Sequence, residues 1–426
     1  MERQYKDSGI EWIGRIPREW KSCRFKYAGS FEKGKLPVEQ NIEQKGLPII
    51  GASEMLGKDP RVFTLDDVVP TCRKEDILIL WDGANAGIVA NGCEGVVSST
   101  VVKYDCNDSQ YNKQFMFYLL KYYENYFRSK VGGTTIPHMN QQYINDCICL
   151  LPSFSEQQQI AEYLDVKCSE IDGLITLQER MIAQLADFKQ SVITEAVTKG
   201  LNPDAQYIPS GIDWIGDIPK NWEMQRLKTL GWTQNGISQS GDYFGDDYAY
   251  PFVSYSDAYK NFSIPYPEGR ANSSDKDRNT YSLIEGDVLF TRTSETIEEI
   301  GFSSTCLETI KDAVYSGFLI RFRPTSNKLY KGFSKYYFRS QVHRAYFVKQ
   351  MNIVTRASLG QDLLKNLVVL LPPLAEQRAI AEHLDTKCGE IDKLIETKRQ
   401  KIETLKEYKK CVIYEAVTGK TDLRDS

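Results

Sequence analysis

The chain has 426 residues, is 41% hydrophobic and 12% aromatic, and carries a net charge of −4. That length exceeds one ordinary core and points to roughly two to four domains, and the composition excludes overall disorder. The polar start has no apolar stretch for secretion, and the longest apolar run, Asn366-Leu-Val-Val-Leu-Leu371, is strand-sized; a soluble, cytoplasmic protein is expected. The ten cysteines are scattered and are expected to be reduced. The closest pair, Cys147 and Cys149, lacks a second ligand pair, and His138, His343 and His383 form no spaced set, so no metal site is expected.

In chain order, the first element is a lead, Tyr5-Lys-Asp-Ser-Gly-Ile-Glu-Trp-Ile-Gly-Arg-Ile-Pro-Arg-Glu-Trp20. A globule follows, with strands expected at 75–81 and 96–102, an aromatic-dense helix at 112–130, and a return strand ending at Pro152. Residues 153–200 read as one long helix in which Ser155 and Gln158 would form a capping box and Gly200 would end it. Its apolar residues step by four and three through Ile160, Leu164, Ile171, Leu174, Met181, Leu185, Phe188 and Val192, a heptad seam.

The lead then recurs as Tyr207-Ile-Pro-Ser-Gly-Ile-Asp-Trp-Ile-Gly-Asp-Ile-Pro-Lys-Asn-Trp222, at an offset of 202 residues. A second globule has strands expected at 285–291 and 316–322, a helical stretch at 331–349, and a return strand ending at Pro372. A second long helix, 373–418, repeats the block around Glu156 at an offset of 220, with seam positions Ile380, Leu384, Ile391, Leu394, Leu405, Tyr408 and Val412. Residues 419–426 form a tail. The different offsets mean that matching frames flank dissimilar middles, and a solenoid period is excluded.

The fold class is therefore α+β: two mixed α/β globules separated by two long helices in an internal repeat. Each helix, about 40 residues or roughly 60 Å, carries an apolar stripe too long to stay solvated. An antiparallel coiled coil between the two is expected, the other arrangement being each helix lying on its own globule. The boundaries are 1–152 and 201–372 for lead plus globule, and 153–200 and 373–418 for the helices.

No phosphate loop, dinucleotide fingerprint, nucleophile elbow or metalloprotease helix is present, so no catalytic residue is assigned. The acidic excess sits in the first helix: residues 1–152 and 201–372 each balance 19 basic against 19 acidic residues, whereas 153–200 has 4 against 8. From Arg321 to Lys365 ten basic residues face one acid, Asp362, with aromatics interleaved, which reads as a phosphate-tracking face. Base reading needs polar side chains on loops and helix ends. Those available are Asp82, Asn85, Asn91, Thr134, Thr135, His138, Asn140 and Gln141 in the first globule. The second offers Arg292, Thr293, Ser294, Arg344, Arg356, Ser358 and Gln361, with Arg292 and Arg356 suited to bidentate guanine contacts.

On the lead motif at Ser8 and Ser210 and the Leu-Pro-x-x-x-Glu-Gln-x-x-Ile-Ala blocks at Leu151 and Leu371, the chain resembles the DNA-specificity subunits of type I restriction–modification systems. The likeness spans essentially the whole chain. It implies two target-recognition domains reading the halves of a split duplex site, with the helices as a ruler and as docking surface for two methyltransferase subunits, and with restriction subunits joining them. It also implies that S-adenosylmethionine, ATP and Mg²⁺ belong to those partners and that this chain binds no cofactor. Two other classes stay open at this point: a nucleic-acid enzyme with a degenerate nuclease centre, and a coiled-coil scaffold without DNA.

Overall fold

The computed structural model describes residues 3–11, 13–106, 109–132, 137–238, 243–245, 247–294, 300–350 and 357–424. The chain forms two compact units, Met1–Glu179 with Arg399–Ser426, and Arg180–Lys398. Among the described residues no helix is long and apolar enough to cross a membrane.

In unit 1 the lead folds into a hairpin, Tyr5–Asp7 with Arg15–Pro17. An antiparallel sheet then takes the order Gly29–Lys33, Val101–Cys106, Ile77–Leu80, Val89–Ala90. A smaller sheet orders Phe63–Thr64, Leu47–Ile50, Gly95–Val97, Thr71–Cys72, its inner pair parallel. The strand at 77–80 is Ile-Leu-Ile-Leu and is buried on both faces, as a central strand covered on two sides must be. Helix Lys113–Ser129 covers it with Phe115, Met116, Leu119, Leu120, Tyr123 and Phe127, and Asn112 Oδ1 caps its start by accepting from Phe115 N.

Unit 2 repeats this plan. Its sheet orders Gly231–Asn235, Leu319–Pro324, Val288–Thr291, Ser303–Thr305. A smaller sheet orders Arg270–Ala271, Tyr250–Val253, Val314–Tyr315. Three expectations are corrected here. The apolar stretches 96–102 and 316–322 each break into two strands, Gly95–Val97 and Val101–Cys106 and then Val314–Tyr315 and Leu319–Pro324, because Ser98 and Ser316 open turns there. The stretch 331–349 is two helices, Lys331–Tyr337 and Gln341–Gln350. The basic run is not one face. Arg321 is fully buried, bonded to Ser282 O and to Gln234 Oε1 at 2.6 Å, with Trp232 at 4.7 Å. Arg323 grips the fully buried Asp287 through two bonds of 2.7 and 2.6 Å, and Arg339 donates to Ser303 O at 2.9 Å. These guanidiniums are held inside the globule by strand alternation and carbonyl acceptors.

The long helices run Phe154–Lys199 and Leu374–Val417. The first is capped by Ser153, whose Oγ accepts from Glu156 N at 3.3 Å, and not by Ser155, because the helix starts at Phe154. Each unit holds a stretch of both helices, and the stretches are antiparallel. In unit 1, Lys409 bonds Asp172 at 2.6 and 2.9 Å while Gln159 reaches Arg424 O at 3.4 Å. In unit 2, Lys189 bonds Asp392 at 2.7 Å and Lys398 approaches Met181.

The seam needs a correction of phase. Ile160, Leu164, Ile171, Ile380, Leu384 and Ile391 are buried, in cores shared with the globules, and Leu185 and Leu405 are half-buried. Leu174 and Leu394 are 45% and 52% exposed, while Ile175 is half-buried and Ile395 buried. The buried stripe steps 160, 164, 168, 171, so Cys168 and Cys388 are buried where a strict four-three count would put Lys167 and Lys387. Four, four and three make an eleven-residue, three-turn repeat close to the natural helix pitch. A seven-residue count begun at Ile160 therefore lands one residue short.

Candidate nucleic-acid interface

The frame motifs build the joint that positions each globule. Gln157 is fully buried in unit 1. Its Nε2 donates to Pro152 O (3.1 Å) and Gln110 O (3.0 Å), and its Oε1 accepts from Asn112 N (2.8 Å). Gln377 repeats this in unit 2 with Pro372 O (2.9 Å), Lys328 O (2.8 Å) and Tyr330 N (2.8 Å). Glu156 accepts from Trp20 Nε1 at 2.9 Å and pairs with Arg3. Farther along, Tyr118 donates to Asp165 and Tyr336 to Asp385, both at 2.7 Å. Burial, and then the neighbouring carboxylate, pushes both phenols well above the usual tyrosine range.

At the end of each central strand the two globules make the same backbone frame. In unit 1, Trp81 N donates to Thr100 O (2.8 Å) and Met139 N to Trp81 O (2.9 Å). In unit 2, Arg292 N donates to Phe318 O (2.9 Å) and Leu359 N to Arg292 O (2.7 Å). Asp82 bridges to His138 in the first frame, and Thr293 pairs with Ser358 in the second. The frames thus bring together, in each globule, two loops far apart in sequence.

The side chains on these frames differ. His138 Nδ1 meets Asp82, and Lys33 Nζ lies 3.4 Å from the same carboxylate, with His138 and Lys33 about half exposed. Arg292 is half-buried, its Nε buried without a hydrogen-bond partner among the described residues, and Phe318 beside it is 61% exposed. Lys33, Thr100 and Phe318 were not picked out from sequence. An aromatic directly after Ser316-Gly317 was the available signal for Phe318, and Lys33 gave none.

Other candidates fall elsewhere. Asn91 donates to Gln114 Oε1 at 3.0 Å, and Gln361 is held between Thr233 and Asn235 at 2.8 and 3.0 Å, so both side chains are spent as internal struts. Asn140 caps helix Gln141–Asp146 by accepting from Gln142 N at 2.9 Å, with Gln141 exposed in its first turn. Asn85 sits half-buried in the 83–87 turn. Thr134, Thr135 and Arg356 lie outside the described residues, as do the side chains of Ser294, Arg344 and Ser358. Among the described residues no group of three or more His, Cys, Asp or Glu could hold a metal ion.

The type I restriction modification DNA specificity domain model matches twice, over residues 17–185 and 219–407. The type I restriction enzyme MjaVIII specificity subunit of Methanocaldococcus jannaschii is 28% identical over 96% of this chain and 95% of its own. The EcoBI specificity subunit of Escherichia coli is 22% identical over 82% of this chain and 74% of its own. A chain solved for the structural basis of complex assembly and conformational transition of the type I R-M system shares the fold. It superposes with a TM-score of 0.68 at 17% identity, covering 95% of this chain and 99% of that one. With its two globules, repeated frames and paired long helices, the chain belongs to the type I restriction modification DNA specificity domain family.

Proposed function

We propose that this chain is the DNA-specificity subunit of a type I restriction–modification complex, reading the two halves of a split duplex site without catalysing a reaction itself. The observation that carries this is the pair of matching strand-end frames with different side chains on them: one geometry presenting two different recognition surfaces. Asp82, His138 and Lys33 serve the first half-site, and Arg292, Thr293 and Phe318 the second. Exposed apolar residues along the helices, Leu174 and Phe188 on the first and Leu394 on the second, give partner subunits a surface to cover. Two methyltransferase subunits, joined by restriction subunits, dock on this frame; S-adenosylmethionine, ATP and Mg²⁺ reside in those subunits.

The test is enrichment of a randomised duplex library by the chain co-expressed with its methyltransferase subunit. A bipartite motif with an unread spacer is expected. Arg292→Ala should cost the second half-site about 1–3 kcal/mol and leave the first unchanged. A well-folded complex that enriches nothing would refute the reading and favour a scaffold that binds protein partners alone.

A further inference from the structure

Unit 1 contains a cleft of about 600 Å³ between helix Lys113–Ser129 and the two long helices. Tyr122, Ile175, Ile413 and Tyr414 form its apolar wall, and Cys411, an exposed cysteine, also lines it. Its rim is charged but internally neutral. Lys121 pairs with Glu124 (2.6 Å), Lys409 with Asp172 (2.6 Å), Lys406 with Glu403 (2.8 Å) and Lys410 with Glu407 (2.7 Å). Such a rim leaves no surplus charge for a phosphate or carboxylate and suits an uncharged, apolar occupant.

Unit 2 shows what fits there. Its Tyr336, Arg339 and Lys189 correspond to Tyr118, Lys121 and Lys409: each tyrosine bonds the equivalent aspartate, Lys121 donates to Val89 O (2.8 Å) as Arg339 does to Ser303 O (2.9 Å), and each lysine holds the equivalent aspartate, Asp172 or Asp392. On these three residues lies Phe262, with its ring 5.7 Å from that of Tyr336, 5.3 Å from Lys189 Nζ and 5.1 Å from Arg339 Cζ. The chain thus supplies its own aromatic plug in unit 2, whereas in unit 1 two of the three equivalents, Lys121 and Lys409, line the open cleft.

We propose that the unit 1 cleft is a docking site for an aromatic side chain of a partner protein, a phenyl or indole ring seated beside Lys409 as Phe262 is seated beside Lys189. This rests on the reading that methyltransferase subunits dock on the frame, and it makes the two docking surfaces unequal: one is anchored by a partner's ring, the other is already filled. Buried aromatic anchors of this kind dominate binding energy.

Cys411 reports on the site directly. The full chain is alkylated with iodoacetamide, alone and with its methyltransferase subunit bound, and modification is followed peptide by peptide. Complex formation should slow Cys411 alkylation about tenfold or more and leave half-buried Cys93 unchanged. Cys411→Trp, which fills the cleft, should weaken binding about tenfold or more, whereas Ser191→Trp, the equivalent change in unit 2, should not. If the complex forms and enriches DNA while Cys411 is alkylated at its free rate, the inference is overturned and the proposed function stands. If no complex forms with the intact chain, both fall together.

Discussion

Gln157→Leu keeps the side-chain volume and removes this residue's polar side-chain atoms from the joint between globule and helix in unit 1. Three bonds are lost, from Nε2 to Pro152 O and Gln110 O and from Asn112 N to Oε1, at a residue with no solvent exposure. The Asn112 N–H has one hydrogen to place and loses its partner outright, costing about 1–3 kcal/mol; each carbonyl, with a second lone pair, loses about 1 kcal/mol. The sum, about 3–5 kcal/mol, is a large part of the roughly 5–15 kcal/mol that holds a domain folded. Urea unfolding with a probe in each unit measures it, and hydrogen exchange across residues 154–164 locates it. Unit 1 should unfold at lower urea, with amide protection lost first at the helix start, and Gln377→Leu should do the same to unit 2. A shift below about 1 kcal/mol with protection intact would refute the view that this glutamine fastens the joint.

Asp287→Ala should cost unit 2 about 3–5 kcal/mol, since it leaves Arg323 without its buried partner; equal urea midpoints for variant and parent would count against it. Burial pushes the Asp76 carboxyl up, but the Lys113 ammonium and the Arg73 N–H, each at 2.8 Å, outweigh it and hold the group below the usual carboxylate range. Its contribution is thus present above about pH 4 and lost as pH falls through the lowered value, so Asp76→Asn should destabilise unit 1 at pH 7 and matter progressively less in acid. A constant difference across pH would show that the charge is not what matters. The Cys23 thiol, hydrogen-bonded by Cys149 across the strand pair and by Tyr111, is lowered to about 6. At pH 7 it should be alkylated ahead of Cys149, whose thiol burial pushes up, and the reverse order would contradict the assignment.

The repeat, the two globules and the long helices were legible because frame residues make contacts that recur in both copies: Gln157 and Gln377 on their carbonyls, and Asp165 and Asp385 under Tyr118 and Tyr336. Helix phase was harder. Four-three and four-four-three spacings share the first step and meet again at Ile171, and only the packed structure separates Leu174 from Ile175. The basic run misled because charge was counted without strand geometry. Arg321 stands between Ile320 and Phe322 in a strand buried on both faces, which marks an internal arginine and not a solvated one. The candidate residues at the strand ends were partly visible as polar loop residues. Which loops meet depends on long-range strand ends, and those are not encoded in local pattern.

Tyr207 OH holds the end of the first long helix at Lys199 O (3.2 Å), and Tyr5 OH holds the end of the second at Gly419 O (3.2 Å). Gly200 and Gly419, both at positive φ, make the turns, and a Cβ at either would strike Glu376 or Pro17. The first of these joints is crossed by the covalent chain; the second is closed by side chains alone, with Arg3 3.5 Å from Asp422. Chain continuity is therefore not what makes the joint. A gene half as long, encoding one lead, one globule and one helix, would carry both sides of the joint and could close on a second copy of itself.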